Sequence, residues 1–218
     1  EAWRGFFSSL ERRRLGVSKL AFIYSELRVL EMLADYAVIP MVNWTGPKKE
    51  KHDFISPSRD IEVKSTLSED SETVTINGVQ QLESFENVPL YLARVRLRQI
   101  PHDGRSVPEV VRSVLNKGCS SEGLYKKLND WGYHPYDEKE YEATVFQEVG
   151  WCWYAVTEDF PRITVSDFVA GTMPNGTSRV TYEVNLTAEG CTKLDESAVK
   201  SLLLEFASAA TKGSVTSG

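Results

Sequence analysis

The run Asp60-Ile61-Glu62-Val63-Lys64-Ser65-Thr66 constrains this chain more than any other segment. Side chains alternate along a strand, so Ile61 and Val63 face one way while Glu62 and Lys64 face the other. The apolar pair demands a covered sheet face, and the opposite face then carries a carboxylate beside an ammonium. A short extended segment at 52–56 and the turn-forming Pro57-Ser58 precede the run. If the two segments pair as a hairpin, Asp53, nine positions before Glu62, reaches the same face.

The pattern around this run predicts alternating elements. Residues 1–14 read as a short helix ending in Arg12-Arg13-Arg14. Residues 18–36 read as a longer helix, with Leu20, Ile23, Leu27, Leu30 and Leu33 on one stripe. Glu26 falls between Leu30 and Leu33 in angular position, at the edge of that stripe. Strand signals follow at 40–44 before the turn Thr45-Gly46-Pro47, at 72–76 before Asn77-Gly78, and at 88–97 after a short helix over 79–86. Val107, Val110, Val111, Val114 and Leu115 predict a helix that tolerates Pro108 in its first turn. Residues 120–131 read as helix, 141–157 and 178–186 as strands, 196–209 as helix, and Asp137-Glu138-Lys139 as loop. No repeat or linker divides the chain, so one domain is expected over 1–210, with a flexible tail at 211–218. The expected fold class is α/β, a mixed central β-sheet with helices on both faces.

Composition narrows the function classes. The 218 residues carry a formal net charge of −6, which argues against a protein that coats DNA by bulk charge. Cys119, Cys152 and Cys191 form no CxxC pair, so neither a zinc knuckle nor a disulfide framework is expected. Sequons at Asn43, Asn175 and Asn185 stand without any other mark of secretion, and a cytoplasmic setting is expected. No window reaches the apolar length of a membrane span. No phosphate-cradling P-loop, dinucleotide fingerprint or nucleophile elbow occurs, so any ATP-driven motion would fall to a separate protein.

Chemistry gathers at the strand. Carboxylate oxygens from Asp53 and Glu62, with the backbone carbonyl of Val63, suit Mg²⁺, which keeps several waters and takes a phosphate oxygen as a further ligand. Such a cation lowers the pKa of bound water and offsets charge building on a phosphate, while Lys64 orients the water or stabilises that charge. The same Glu-x-Lys tripeptide, taken alone, is an ordinary surface ion pair of little energy. Order along the chain separates the two readings: Glu26 on the preceding helix, Asp53 on the extended segment, Glu62 and Lys64 on the strand, then Gln80-Gln81 after the next strand.

That order resembles the core of restriction-endonuclease-like folds. A closer likeness rests on Trp44-Thr45-Gly46-Pro47, His52-Asp53-Phe54, Ile61 to Thr66, Gln81-Leu82-Glu83 and Pro89-Leu90-Tyr91-Leu92. Gly132-Tyr133, Phe160-Pro161-Arg162-Ile163 and Val180-Thr181-Tyr182-Glu183-Val184 extend it over about residues 18–187. Together these resemble a bacterial family of PD-(D/E)xK proteins found among restriction and phage-defence genes. The resemblance implies a Mg²⁺-dependent endonuclease acting on DNA, with Mn²⁺ able to substitute. Asp53 and Glu62 would be metal ligands and Lys64 the catalytic lysine. Glu26 would be the helix acid supporting a second metal or a metal-bound water, and Gln81 would assist near the phosphate or the lysine. Ser25 precedes Glu26 where the family usually has Gly, and His52 precedes Asp53 in place of Pro. Members tend to be longer at the amino end, which implies that this chain lacks an N-terminal part. A methyltransferase or an ATPase or helicase of the same defence system would be its partner, and cutting both strands would call for a homodimer.

Other basic and aromatic residues carry two readings each. Lys48, Lys49 and Lys51 contact DNA phosphates beside Asp53 or form a solvated loop. Arg94, Arg96 and Arg98 alternate on one strand face and either bind an anion or, as is favoured, pair with the chain's own acids. His52, His102 and His134 have no metal spacing, and His52 is expected to serve as a hydrogen-bonding group. Trp151, Trp153 and Tyr154 read as core before base-stacking. The rival functions are a catalytically inactive nuclease-fold module that binds DNA or a partner protein, and an RNase using the same site.

Overall fold

The computed structural model describes residues 14–48, 50–84, 88–177 and 179–213, so the helix expected over 1–14 lies outside the described residues except for Arg14. A five-stranded mixed sheet runs in the order β1-β2-β4-β6-β5, formed by Phe54–Ile55 (β1), Asp60–Thr66 (β2), Leu90–Ile100 (β4), Val145–Val156 (β6) and Arg105–Ser106 (β5). The expected hairpin is present: β1 pairs antiparallel to β2 with Phe54 opposite Ile61. β2 runs parallel to β4, with Glu62 opposite Leu92 and Lys64 opposite Arg94. The segment at 192–194 adds to the edge of β6, where Tyr154 bridges Lys193 and Leu194 N donates to Trp153 O at 2.8 Å.

The helix α1 (Val17–Ala34) lies on the face of the sheet that carries Ile61, Val63, Ala93 and Val95. Its predicted stripe is buried throughout, but burial extends past it to Ser25 and Glu26. The reason is company on several sides: α2 (Val107–Asn116) and α5 (Glu196–Gly213) pack against α1 as well. Ser106 and Glu109 cap α2 reciprocally, with Ser106 N donating to Glu109 Oε2 at 2.7 Å. Leu124 and Leu128 of α3 (Ser121–Asp130) and Tyr141 of α4 (Glu138–Tyr141) join the same core.

The mixed sheet flanked by helices is as expected, but among the described residues the α-helices that join the main core lie on one face and not on both. Leu90, Leu92, Tyr154 and Val156 on the second face are covered by a separate two-stranded sheet, β3 (Thr73–Ile76) against β7 (Tyr182–Asn185), and by Phe160 and Leu82. Several local expectations are corrected. Residues 40–44 make no strand: Met41–Asn43 is a 3-10 turn, because Asn43 Nδ2 turns in to donate to Ile55 O, leaving Trp44 alone to bridge Phe54. The 79–86 helix shrinks to a 3-10 turn at Val79–Leu82, and 85–87 lie outside the described residues. Residues 137–139 are wound into helical turns that deliver Tyr141 to the core beside Tyr133. The last helix continues to Gly213, through residues expected as tail. No helix among the described residues is long and apolar enough to cross a membrane.

Candidate active site

Hydrogen bonds around the β1–β2 hairpin fix where Asp53 stands. Thr45 N and Gly46 N both donate to Asp53 O, at 2.8 and 3.1 Å, and Thr45 Oγ1 donates to His52 O at 2.6 Å. At the other end Asp60 accepts from Ser56 N, and its Oδ2 lies 2.9 Å from His52 Nδ1. His52 is buried, so its hydrogen-bonding role is as expected. The side chain of Asp53 then turns toward β2, where Oδ2 accepts from Val63 N at 2.8 Å. Within a strand, a residue's N–H and C=O point to the same side. The Val63 carbonyl therefore also faces this edge, just past the end of β1, while Asp60 N on the alternate side donates to Pro89 O.

Glu62 and Lys64 share the opposite face from Ile61 and Val63, as the alternation requires. Lys64 Nζ lies 2.7 Å from Glu62 Oε1 and donates to Gln81 Oε1 at 2.8 Å. The turn after β3 brings Gln81 there. Gly78 adopts φ of 152°, open to glycine, and Asn77 N donates to the same Gln81 oxygen at 2.8 Å. Glu26, on α1, is fully buried, with Trp44 Nε1 donating to its Oε2 at 2.7 Å, while its Oε1 finds no hydrogen-bond partner among the described residues. A side chain on Gly46 would collide with Glu26, since a Cβ there would sit 2.0 Å from Oε2.

Electrostatics follow from crowding three carboxyls and one ammonium where burial strips away most of their hydration. Burial, and then the Asp53 charge, push the Glu62 carboxyl up to about 8. Burial and the Asp53 carboxylate likewise hold Glu26 well above the ordinary range. Burial raises Asp53 too, against the pull of Lys64 and of the Val63 N–H. Burial alone would lower Lys64, but the Glu62 and Asp53 carboxylates beside it win and raise it. Such a donor set invites a cation. Among the described residues no three His, Cys, Asp or Glu side chains form a ready-made cage. The residues present, two carboxyls and the Val63 carbonyl, are hard oxygen donors of the kind a divalent cation takes while keeping waters of its own.

Asp53 and Glu62 line a cavity of about 520 Å³, Lys64 lines a neighbouring one of about 510 Å³, and Gln81 borders both. The structure thus brings together Glu26, Asp53, Glu62, Val63, Lys64 and Gln81. Lys51 lines the Asp53 cavity, whereas Lys48 lies exposed in the Gly46–Lys48 turn and lines neither. Lys49 lies outside the described residues. Arg96 and Arg98 pair with Glu72 and Glu69, as the self-pairing reading expects, whereas Arg94 donates to the backbone carbonyl of Ser71 and not to an acid. Trp153 and Tyr154 are core. Sequence reasoning passed over the contacts Trp44 and Gly46 make with Glu26, the wall residue Phe22, and Asn77 and Arg179; the signals there were Thr45-Gly46-Pro47 and Asn77-Gly78, read as turns, and Trp44 to Pro47 as part of the family likeness.

No curated protein and no solved structure matches the chain. A family model described as "Putative PD-(D/E)XK family member" (DUF4420) matches residues 1–187. With most of its length matched, and with the Asp53, Glu62 and Lys64 side chains converging as described, the chain belongs to that PD-(D/E)XK family.

Proposed function

We propose that this protein is a Mg²⁺-dependent endonuclease that hydrolyses DNA phosphodiester bonds within a bacterial restriction or phage-defence system. One observation carries the reading: buried acids Asp53 and Glu62 and the amine of Lys64 meet at the junction of two cavities, with Gln81 holding the lysine. A divalent cation on Asp53, Glu62 and the Val63 carbonyl would supply an acidified water and offset charge growing on the phosphate. Lys64 is charged and fixed in direction by two partners, so it orients the attacking water and stabilises the phosphate oxygens at little entropic cost. Lys51, on the rim of the Asp53 cavity, positions the backbone without reading bases. The proposed assembly is a homodimer working with a methyltransferase, or with an ATPase or helicase, of the same system.

Incubating purified protein with DNA and Mg²⁺ or Mn²⁺ tests the reading. Asp53→Ala, Glu62→Ala and Lys64→Ala should each lower cleavage on the order of 10²-fold or more. Arg98→Ala, in an exposed ion pair with Glu69, should leave it unchanged. Metal-dependent cutting that survives all three site changes removes the proposal. The net charge of −6 favours one rival, a non-catalytic module of the same fold. Wild-type protein that binds DNA or a partner yet cuts nothing in either metal would select it.

A further inference from the structure

We propose that the groove before Asp53 and Glu62 admits one unpaired strand, so that the substrate is single-stranded DNA or a single-stranded end; this rests on the nuclease reading above. Depth is the first argument. Asp53 and Glu62 are 8% and 1% exposed, at the floor of a cleft and not on an open surface. One wall is α1, through Ser18 and Phe22. The facing wall is β3 and the turn after it, through Thr73, Thr75, Asn77 and Gln81. Met173, Arg179 and Val180 close the Asp53 lobe from a further side. In a duplex the partner strand lies only about 6 Å away across the minor groove. Lowering one phosphate of a duplex to this floor would drive the other strand into a wall, whereas a lone strand enters lengthwise.

The lining chemistry agrees. Between its two lobes the groove presents mainly hydroxyl and amide groups, with Lys51, Lys64 and Arg179 as cations and Glu50 and Glu183 opposing them. That is too little positive charge to follow two phosphate backbones, and enough to hold a few phosphates of one. Phe22 stands where the lobes meet and borders both. It lies off the apolar stripe of α1, is only half-buried, is braced edge-on by Trp131 at a 5.1 Å ring separation, and has the Lys19 ammonium over one of its two faces at 4.5 Å, which leaves the other for a base. An aromatic ring fixed beside a phosphate path is a platform on which an unpaired base stacks whatever its identity.

Fluorescence anisotropy with metal-free protein, using a short labelled oligodeoxythymidine and a blunt duplex of equal length, reads the preference without catalysis. The single strand should bind at least about tenfold tighter. The logarithm of its affinity should fall against the logarithm of salt with a slope near −2, as for about three phosphates of a single strand. Phe22→Leu, which keeps the apolar contact with Trp131, should weaken single-strand binding about tenfold, and Phe22→Trp should restore it. A duplex bound as tightly as the single strand, or indifference to Phe22→Leu, overturns the inference. Cleavage with Mg²⁺ separates the two proposals. A duplex cut as fast as a single strand leaves the nuclease and removes the groove's preference. Tight, Phe22-dependent strand binding without any cutting leaves the groove and removes the nuclease.

Discussion

Trp44 works from both ends of one residue. Its indole N–H donates to the buried Glu26 carboxyl, and its backbone carbonyl accepts from Lys127, tying the turn ahead of β1 to α3. The neighbouring Gly46 then lies against Glu26 in space that no side chain can share. Trp44→Phe keeps most of the packing and strips the donor from a buried oxygen, so it should cost about 1–3 kcal/mol in chemical unfolding. Gly46→Ala should act differently. The intruding methyl must displace Glu26 or the turn whose amides hold Asp53 O, and a displacement of about 1 Å beside a reacting group costs on the order of 10²-fold in rate. The check is cleavage rate beside far-ultraviolet circular dichroism: lost rate with retained secondary structure is the expected outcome, and wild-type rate would show that Glu26 and this turn have room to spare.

At the level of elements, α5 has the most testable role. It lies wholly beyond the residue at which the family match ends, yet it buries Leu202, Leu203, Phe206 and Ala207 in the main core, with Phe206 edge-on to Phe54 at 6.3 Å. Phe54 begins β1, one residue after Asp53, so α5 backs the strand that aims the carboxylate. Phe206→Ala should lower stability by about 3–5 kcal/mol through lost burial and the cavity left behind. Because the void opens under β1, the melting temperature should rise less on adding Mn²⁺ than it does for wild type; an equal rise would separate α5 from the site. The same elements mark what a sequence can and cannot disclose. The hairpin, α1 and the Glu62–Lys64 face were legible because each rests on a local period or a turn residue, and Gln81 was legible by its order along the chain. The pairing of β3 with β7 was not, since Val74 finds Val184 far along the chain and either strand alone reads as a sheet member like any other. Burial of Glu26 was equally hidden: helix periodicity gives an angle around α1, but not how many neighbours surround it.

Over the whole molecule, the acid cluster ties stability to pH and to cations. Without metal, Glu62 has a folded pKa of about 8 against 4.5 as its ordinary value. A carboxyl raised on folding binds its proton more tightly in the native state. Its contribution is therefore complete below about 4.5 and is lost as pH climbs to about 8. Metal-free protein in a chelator should accordingly lose denaturation midpoint between pH 5 and pH 8, and Glu62→Gln, neutral throughout, should flatten that slope. A divalent cation competes with the proton for the same oxygens. Its stabilisation, growing as RT ln(1 + [L]/Kd), should be small at pH 5 and largest near pH 8, where the metal-free fold is weakest. Thermal melts across that range, with and without Mn²⁺, measure both slopes on one sample. If Mn²⁺ raised the melting temperature equally at both ends, or did so in Glu62→Gln as in the wild type, the cation would be binding elsewhere, and the convergence of Asp53, Glu62 and Lys64 would need another explanation.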